Sequence, residues 1–145
     1  MIEQLSAIVG KDHVLTGGDL ARWGQDWMGQ YKSDPIAVVR PATTQEVAEV
    51  VKLGNATKTP IVPVSGNTGL AGGASGQGHI MISMERMNRI YDIRKDARIA
   101  IVGAGVILAD IHSAANAEDL VFPLTFGARG TCLIGGCMAT NAGGS

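Results

Sequence analysis

Two glycine-rich stretches contain the residues of this chain whose types and spacing could support chemistry. Six glycines fall within the thirteen positions from Gly66 to Gly78, between two apolar runs, and six more lie between Gly127 and Gly144. Each ordered glycine costs about 0.5–1 kcal/mol relative to alanine, so a loop with six of them needs an offsetting interaction. Glycine lets successive backbone N–H groups converge on an anion, usually a phosphate. The pattern therefore predicts a phosphate-holding loop, with an unstructured surface loop as the alternative.

The first stretch contains no charged side chain. Lys, Arg, Asp and Glu are all absent from Thr59 to Met84. An anion bound there would be held by backbone dipoles, the Asn67 amide and the hydroxyl groups of Ser65 and Thr68. A nucleotide-hydrolysing P-loop needs Gly-Lys-Ser/Thr at the end of its glycine loop to reach the terminal phosphates. Because that ending is missing, the sequence argues against nucleoside triphosphate hydrolysis.

A second motif, "IAIVGAGVILAD" at residues 99–110, has the strand, Gly-x-Gly turn and helix pattern of a dinucleotide-binding fold. Its third small position is occupied by Leu108, where close packing of helix on strand requires Gly or Ala. The acidic residue expected about 20 positions further on is also missing, because Glu118 and Asp119 come too soon. The motif therefore argues against a nicotinamide-binding fold.

Other residues with chemical potential are scattered. Cys132 and Cys137 are not at C-x-x-C spacing and lack further ligands nearby, so we expect buried small residues rather than a redox pair or a metal site. No carboxylate accompanies His13, His79 or His112 at metal-ligand spacing, and we expect these rings in the core or in solvent. Four arginines could suggest a carboxylate clamp, but their positions around strand ends favour a solvated face: Arg86, Arg89, Arg94 and Arg98.

The surrounding pattern predicts the elements that position the two stretches. A buried strand at 36–41 is stopped by Pro41, and a helix over 43–57 begins with a capping-box pair, Thr43 and Glu46. The apolar face of that helix should contain Val47, Val50, Val51 and Gly54. The two prolines of 60–64 predict an edge strand. Three further strands and a second helix are expected at 79–84, 89–93, 98–102 and 106–117. Consecutive strands without intervening helices argue against a plain strand–helix alternation.

Composition limits the class of protein and its partners. The 145 residues suffice for one ordinary domain, and the net charge of -1 favours neither nucleic acid nor an anionic membrane surface. No apolar run reaches the roughly 18 residues of a transmembrane segment, and the N-terminus lacks a signal-peptide pattern. We therefore expect a soluble cytoplasmic protein. The chain ends within a glycine-rich turn, "NAGGS", which suggests a fragment of a longer protein.

Several long motifs occur in the order of one known family. They are "DW" at Asp26 and Trp27, "RPATTQEVAEVV" at 40–51, "PVSGNTGLAGGA" at 63–74, "MNRI" at 87–90, "VGAGVIL" at 102–108 and "FPLTFGARGTCLIGGCMATNAGGS" at 122–145. In these motifs the chain resembles the PCMH-type FAD-binding domain of the vanillyl-alcohol oxidase superfamily. It is most similar to the N-terminal part of the FAD-linked D-2-hydroxyacid dehydrogenases, those of D-2-hydroxyglutarate, D-lactate and glycolate.

The resemblance implies an α+β fold in which FAD lies extended between two α/β subdomains. Residues 1–145 would be the N-terminal portion of that domain, with a lead-in at 1–35 and the FAD-binding core at 36–145. The C-terminal end of the domain would be truncated and the substrate domain absent. The "VGAGVIL" glycines would then serve packing in the second subdomain.

The resemblance also assigns cofactor-binding residues. The first glycine stretch would wrap the pyrophosphate, and the second would follow the ribityl chain and the flavin ring. FAD is expected to bind non-covalently, because the first loop holds neither His nor Cys and the two cysteines are not at a recognised attachment position. The expected set is Pro63, Ser65, Gly66, Asn67, Thr68, Gly69, Leu70, Gly72, Gly73, Pro123, Gly127, Thr131, Gly135, Gly136, Ala139, Thr140, Asn141 and Gly143.

For the full-length protein, the resemblance implies FAD-dependent oxidation of a small D-2-hydroxy acid to the 2-keto acid. Electrons would pass to an electron-transfer flavoprotein or a quinone. Catalytic residues and any catalytic metal would lie in the missing C-terminal part, so none is assigned here, and this fragment alone is expected to be inactive. The alternative is a non-catalytic flavin- or nucleotide-binding module, or a subunit of a multi-subunit oxidoreductase.

Overall fold

A four-stranded sheet forms the first half of the computed structural model, which describes residues 1–144. Its strands are β1 (Val14–Leu15), β2 (Asp34–Val39), β3 (Ile61–Val64) and β4 (Gln77–Ser83), in the spatial order β1-β2-β4-β3. β2 and β3 both pair with β4 in parallel, whereas β1 pairs with β2 antiparallel. β3 lies at the edge, as its prolines predict, because proline cannot donate to a second neighbour.

The helix between β2 and β3 is α2 (Thr44–Thr57), and its start follows the predicted capping box. The Thr43 hydroxyl accepts the Glu46 N–H at 3.1 Å, and the Glu46 carboxylate accepts the Ala42 N–H at 2.7 Å. The first bond satisfies one of the donors that any helix start leaves free, and the second differs from a standard capping box because it uses the N–H of Ala42, one residue before the N-cap. Val50 and Gly54 are buried as expected, but Val51, predicted on the same face, is 46% exposed.

Apolar residues cover both faces of this sheet, because successive side chains of a strand point to opposite sides. On one face, α1 (Ile2–Val9) and α2 pack on β2 and β4, in a cluster of Leu5, Val9, Ala37, Val39, Val50, Ile80 and Ile82. The other face is covered by a 3₁₀ segment, Gly17–Trp23, and its core contains Trp23, Val38, Val64 and Met81. The N-terminal 33 residues therefore contribute to the core on both sides of the sheet.

A second unit follows β4. Strands β5 (Ile90–Arg94) and β6 (Ile99–Val102) form an antiparallel pair, and α3 (Leu108–Asn116) and α4 (Ile134–Ala139) complete the unit. Its core consists of Val106, Leu108, Ile111, Cys132, Ile134 and Cys137. A Cβ at Gly103 or Gly105 would collide with the carbonyl groups of Met87 and Met84. The Gly-x-Gly turn is therefore required by close backbone packing.

The predicted strands and helices are present, and the second helix begins two residues later than expected, at Leu108. The sequence patterns did not reveal α1, the Gly17–Trp23 segment or α4. The division at residue 35 stays a prediction. Among the described residues, each helix is either too short or too polar to traverse a bilayer.

Candidate cofactor site

The first glycine stretch connects two adjacent parallel strands. β3 and β4 run side by side in the same direction, so the chain must return along the sheet between them. Residues 65–76 make this crossover in twelve residues without a helix. The stretch therefore begins at the carboxyl ends of the strands, the edge at which open α/β sheets bind ligands.

This crossover has few hydrogen bonds of its own. From Gly66 to Ala74, none of the nine consecutive backbone N–H groups donates to another residue within 1–144. The first N–H in the loop with a protein acceptor is that of Ser75, which donates to the Gly72 carbonyl at 3.0 Å. Buried backbone donors are nearly always paired with protein, water or ligand. The N–H groups of this loop are therefore available to water or a ligand, and two of their residues, Gly66 and Thr68, border the cavity described below.

The two glycine stretches contact each other directly. A Cβ at Gly66 would collide with the Thr131 carbonyl oxygen and lie 2.9 Å from the Cys132 Cα. A Cβ at Gly136 would lie 2.9 Å from the Cβ of Ser65. Gly66 and Gly136 are therefore needed for the approach of one stretch to the other.

Other glycines in the two stretches have no such explanation inside the protein. A Cβ built at any of them has no heavy atom of a described residue within 4 Å, and none has φ in the left-handed region: Gly69, Gly73, Gly127, Gly130 and Gly143. Gly72 differs, because its φ is +71° and a Cβ there would lie 2.6 Å from the Tyr31 ring. The open glycines leave room for a ligand to approach the backbone.

A cavity of about 510 Å³ lies where the two stretches meet. Three residues of each stretch border it: Ser65, Gly66 and Thr68 of the first, and Gly130, Thr131 and Leu133 of the second. The structure brings Ser65, Gly66, Thr68 and Thr131 together around this cavity, and a role in binding a cofactor stays a prediction for the whole set. The other predicted residues lie outside this lining: Pro63, Asn67, Gly69, Leu70, Gly72, Gly73, Pro123, Gly127, Gly135, Gly136, Ala139, Thr140, Asn141 and Gly143.

Asn67 has a structural role in the loop. Its backbone is left-handed, with φ of +53°, a conformation that Asn tolerates better than most residues. Its side-chain Nδ2 donates to the Gln25 carbonyl at 3.0 Å. One of the two N–H groups of the side-chain amide that was predicted to face an anion therefore fastens the loop to the segment between β1 and β2.

The cavity also contains residues that the sequence patterns did not assign to it: Arg22, Trp27, Glu85, Asn88, Gly105, Ile107 and Asp110. Glu85 lies between two cations, 3.3 Å from Arg22 and 3.3 Å from Arg40. Its negative charge is thus compensated before any ligand arrives. Three of the motifs contain members of this group: "DW" contains Trp27, "MNRI" contains Asn88, and "VGAGVIL" contains Gly105 and Ile107.

The cysteines and histidines do not form a metal site within residues 1–144. Cys132 and Cys137 are free and buried, as predicted. Burial raises the pKa of the Cys132 thiol to about 11, and the neighbouring Cys137 adds to the shift. His79 is buried in the core beneath the loop, whereas the His112 Nε2 lies 2.7 Å from the Leu124 carbonyl oxygen.

Three of the four arginines are exposed, as the solvated-face interpretation predicts: Arg89, Arg94 and Arg98. That interpretation was wrong for Arg86. Its guanidinium is half-buried and donates to the Arg40 carbonyl at 2.6 Å. Arg86 therefore ties the end of β4 to the end of β2, where Arg40 also contacts Glu85.

Comparison with known proteins relates this chain to one family of domains and to several named dehydrogenases. A family model described as "FAD binding domain" matches residues 35–145. The D-2-hydroxyglutarate dehydrogenase of Xanthomonas citri pv. viticola is 42% identical over 87% of this chain and 27% of its own length. The D-lactate dehydrogenase of Anaerostipes hadrus is 39% identical over 99% of this chain and 30% of its own. In Arabidopsis thaliana, the protein named "D-2-hydroxyglutarate dehydrogenase, mitochondrial" is 30% identical over 99% of this chain and 26% of its own.

Solved structures show the same fold. An alkyldihydroxyacetonephosphate synthase superposes on 99% of this chain and 32% of its own with a TM-score of 0.86, at 19% identity. A p-cresol methylhydroxylase superposes on 90% of this chain and 26% of its own with a TM-score of 0.74, at 28% identity. The chain therefore spans less than a third of the length of these relatives and structures.

Proposed function

Because this chain belongs to the FAD binding domain family, we propose that it is the FAD-binding part of an oxidoreductase that converts a D-2-hydroxy acid to the 2-keto acid. One observation carries the proposal for this chain. Nine consecutive unpaired backbone N–H groups lie in a loop that borders a cavity shared by both glycine stretches. Such a run of donors suits a diphosphate.

The residues present fit FAD on chemical grounds. The pyrophosphate group is anionic, and the crossover loop contributes donors and hydroxyl groups but no carboxylate. Two carboxylates border the cavity: Glu85 is ion-paired with Arg22 and Arg40, whereas Asp110 has no ion pair among the described residues. The open glycines allow the backbone to approach the ligand closely. The loop and the cavity thus offer what a phosphate group requires.

In this proposal each stretch holds a different part of FAD. Ser65, Gly66, Thr68 and the open Gly69 would cradle the pyrophosphate, and Thr131 with its neighbours would hold the ribityl chain and ring. When bound, FAD supplies the ring that accepts a hydride from the substrate carbon. The residues of this chain bind and orient it, and none of them is assigned to proton transfer.

We propose that the attachment is non-covalent. A covalent bond to a protein side chain needs a nucleophile, and the loop from Ser65 to Gly76 contains neither His nor Cys. Cys132, in the second stretch, is buried and has a pKa of about 11, so almost none of it is thiolate near neutral pH. Both observations support a cofactor held by hydrogen bonds and packing.

The test is a visible absorbance spectrum of the purified chain, followed by thermal melts with and without FAD. FAD at about 100 times its Kd should add about 2.7 kcal/mol, which raises Tm by about 5–10 °C for a chain of this size. A yellow protein or an upward shift of that order is expected. A colourless protein whose Tm does not respond to FAD would overturn the proposal for this chain.

A matched pair of variants at Thr68 distinguishes the effect of charge on FAD binding from the effect of side-chain size. Thr68 borders the cavity, and neither its side chain nor its backbone N–H bonds to another described residue. Thr68→Asp places a carboxylate beside the diphosphate, whereas Thr68→Asn keeps a similar size without the charge. We expect Thr68→Asp to abolish the FAD-induced shift and Thr68→Asn to retain most of it. Equal shifts in the two variants would contradict binding of the pyrophosphate at this loop.

The activity of the whole protein is part of the same proposal. This chain covers less than a third of its curated relatives, so we expect it alone to turn over neither D-2-hydroxyglutarate nor D-lactate. The alternative is a non-catalytic flavin- or nucleotide-binding module, or a subunit of a multi-subunit oxidoreductase. We also propose that electrons pass to a quinone or an electron-transfer flavoprotein. A cytoplasmic location stays a proposal as well, and the Arabidopsis thaliana relative is named as a mitochondrial protein.

A further inference from the structure

A short turn before β2 is held in one conformation by its own hydrogen bonds. Gln25 and Lys32 form an isolated antiparallel bridge, and the Asp26 N–H donates to the Tyr31 carbonyl at 3.0 Å. The buried Asp26 carboxylate accepts the N–H groups of Tyr31 at 2.7 Å and Met28 at 3.2 Å. We call residues 25–32 the DW turn.

The DW turn is fastened to the crossover loop at two places. At one, Asn67 Nδ2 donates to the Gln25 carbonyl at 3.0 Å. At the other, the Tyr31 ring packs over Gly72, so closely that a Cβ there would lie 2.6 Å from the ring. Just beyond the turn, the Asp34 N–H donates to the Gly76 carbonyl at 2.8 Å. The turn therefore keeps a fixed position relative to the loop that we propose holds the pyrophosphate.

Trp27 lies at the tip of this turn and borders the cavity. Its side chain is 73% exposed, whereas the chain's other tryptophan, Trp23, is 2% exposed and lies in the core. The guanidinium of Arg22, which also borders the cavity, stacks on Trp23 at 4.4 Å rather than on Trp27. An exposed indole that is carried by a structured turn and borders a cavity is suited to stack on a planar ring.

We propose that Trp27 forms an aromatic wall of the cofactor site and stacks on a planar heteroaromatic ring of the bound cofactor. This inference rests on the proposed function, because FAD supplies two such rings, adenine and isoalloxazine, which share a π face. Stacking of a nucleic-acid base on an aromatic side chain is worth enough to change affinity by about tenfold or more. Trp27 would thus be a cofactor-binding residue contributed by the segment between β1 and β2.

The experiment is a titration of FAD into wild-type chain, Trp27→Ala, Trp27→Phe and Met28→Ala, followed by flavin fluorescence. Met28 is the matched control, because it is the next residue of the same turn and is also exposed. We expect Trp27→Ala to raise Kd about tenfold, Trp27→Phe to fall between, and Met28→Ala to match wild type. If the stacked ring is isoalloxazine, contact with the indole should also quench flavin fluorescence in wild type, and Trp27→Ala should lose most of that quenching.

Parallel titrations with ADP and FMN show which ring is stacked. A loss of affinity for ADP in Trp27→Ala indicates adenine, and a loss for FMN indicates isoalloxazine; either result supports the wall. If Trp27→Ala binds and quenches FAD as wild type does, the inference is overturned while the proposed function stands. If Met28→Ala loses as much affinity as Trp27→Ala, the effect belongs to the turn and the inference is also overturned. If wild type itself binds no FAD, the proposed function fails and the inference fails with it.

Discussion

The carbonyl oxygen of Thr131 lies against the Cα of Gly66, in the space that a Cβ would occupy. The two residues are far apart in the sequence, one in each glycine stretch. Their backbones are in direct contact because Gly66 has no side chain to separate them. This contact closes one side of the candidate cofactor cavity. Gly66 is therefore required by the protein's own packing, before any ligand binds.

Gly66→Ala should lower the free energy of unfolding by about 1–3 kcal/mol, since the added methyl group must push the two stretches apart. Gly69→Ala is the matched control, because its Cβ meets no described residue and its φ is outside the left-handed region. That change should be neutral or stabilise the chain by up to about 1 kcal/mol. Urea denaturation of both variants measures the difference. Similar stabilities would contradict the close contact with Thr131.

Asn67 should tolerate glycine better than alanine. Asn67→Gly removes the hydrogen bond to Gln25 but keeps a residue suited to the left-handed backbone, whereas Asn67→Ala removes the bond and adds strain. We expect Asn67→Ala to be the less stable of the two by about 1 kcal/mol. Urea denaturation provides the measurement. If the alanine variant proves equally stable, the left-handed conformation at this position is disproved.

His79 should make the chain less stable in mild acid. Burial lowers the pKa of His79 below its usual value, against an opposing effect of Asp34, and neither ring nitrogen has a partner among residues 1–144. Because the unfolded chain then takes up a proton that the folded chain does not, the free energy of unfolding should fall as pH drops below about 6.5. His79→Gln should show a smaller fall between pH 7.5 and 5.5. An NMR titration of His79 with a midpoint above 6.5 would contradict this prediction.

The native chain should resist thiol reagents. With its pKa raised to about 11, chiefly by burial, Cys132 is about 0.1% thiolate at pH 8, and Cys137 is buried as well. We expect neither cysteine to react appreciably under native conditions and both to react once urea unfolds the chain. A disulfide reagent that releases a coloured thiolate measures, by absorbance, the number of cysteines that have reacted. Rapid labelling of the native protein would show that the second stretch opens readily.

Sequence patterns predicted the structure correctly where it depends on interactions between residues that are close in the sequence. The Thr43–Glu46 pair starts α2 as predicted, and the prolines of β3 place it at the edge. The exposure of Val51 and the burial of α1 residues such as Leu5 depend on which elements pack together. Helical spacing identifies the apolar face of a helix, but it does not indicate how much of that face the neighbouring elements cover. The Arg86 prediction failed for the same reason, since its acceptor is a backbone carbonyl 46 residues away.

The sequence alone determined that the first glycine stretch lies between two uncharged strands, that no P-loop lysine follows it, and that the motifs belong to an FAD-binding family. Tertiary structure decided which glycines face protein and which face open space, as Gly66 and Gly69 illustrate. It also brought Trp27 to the cavity from outside both stretches. The physical reason is that a glycine in the sequence indicates only that the backbone there is free to bend or to be approached closely. The group that approaches it comes from a distant part of the chain, and only the tertiary structure shows which group that is.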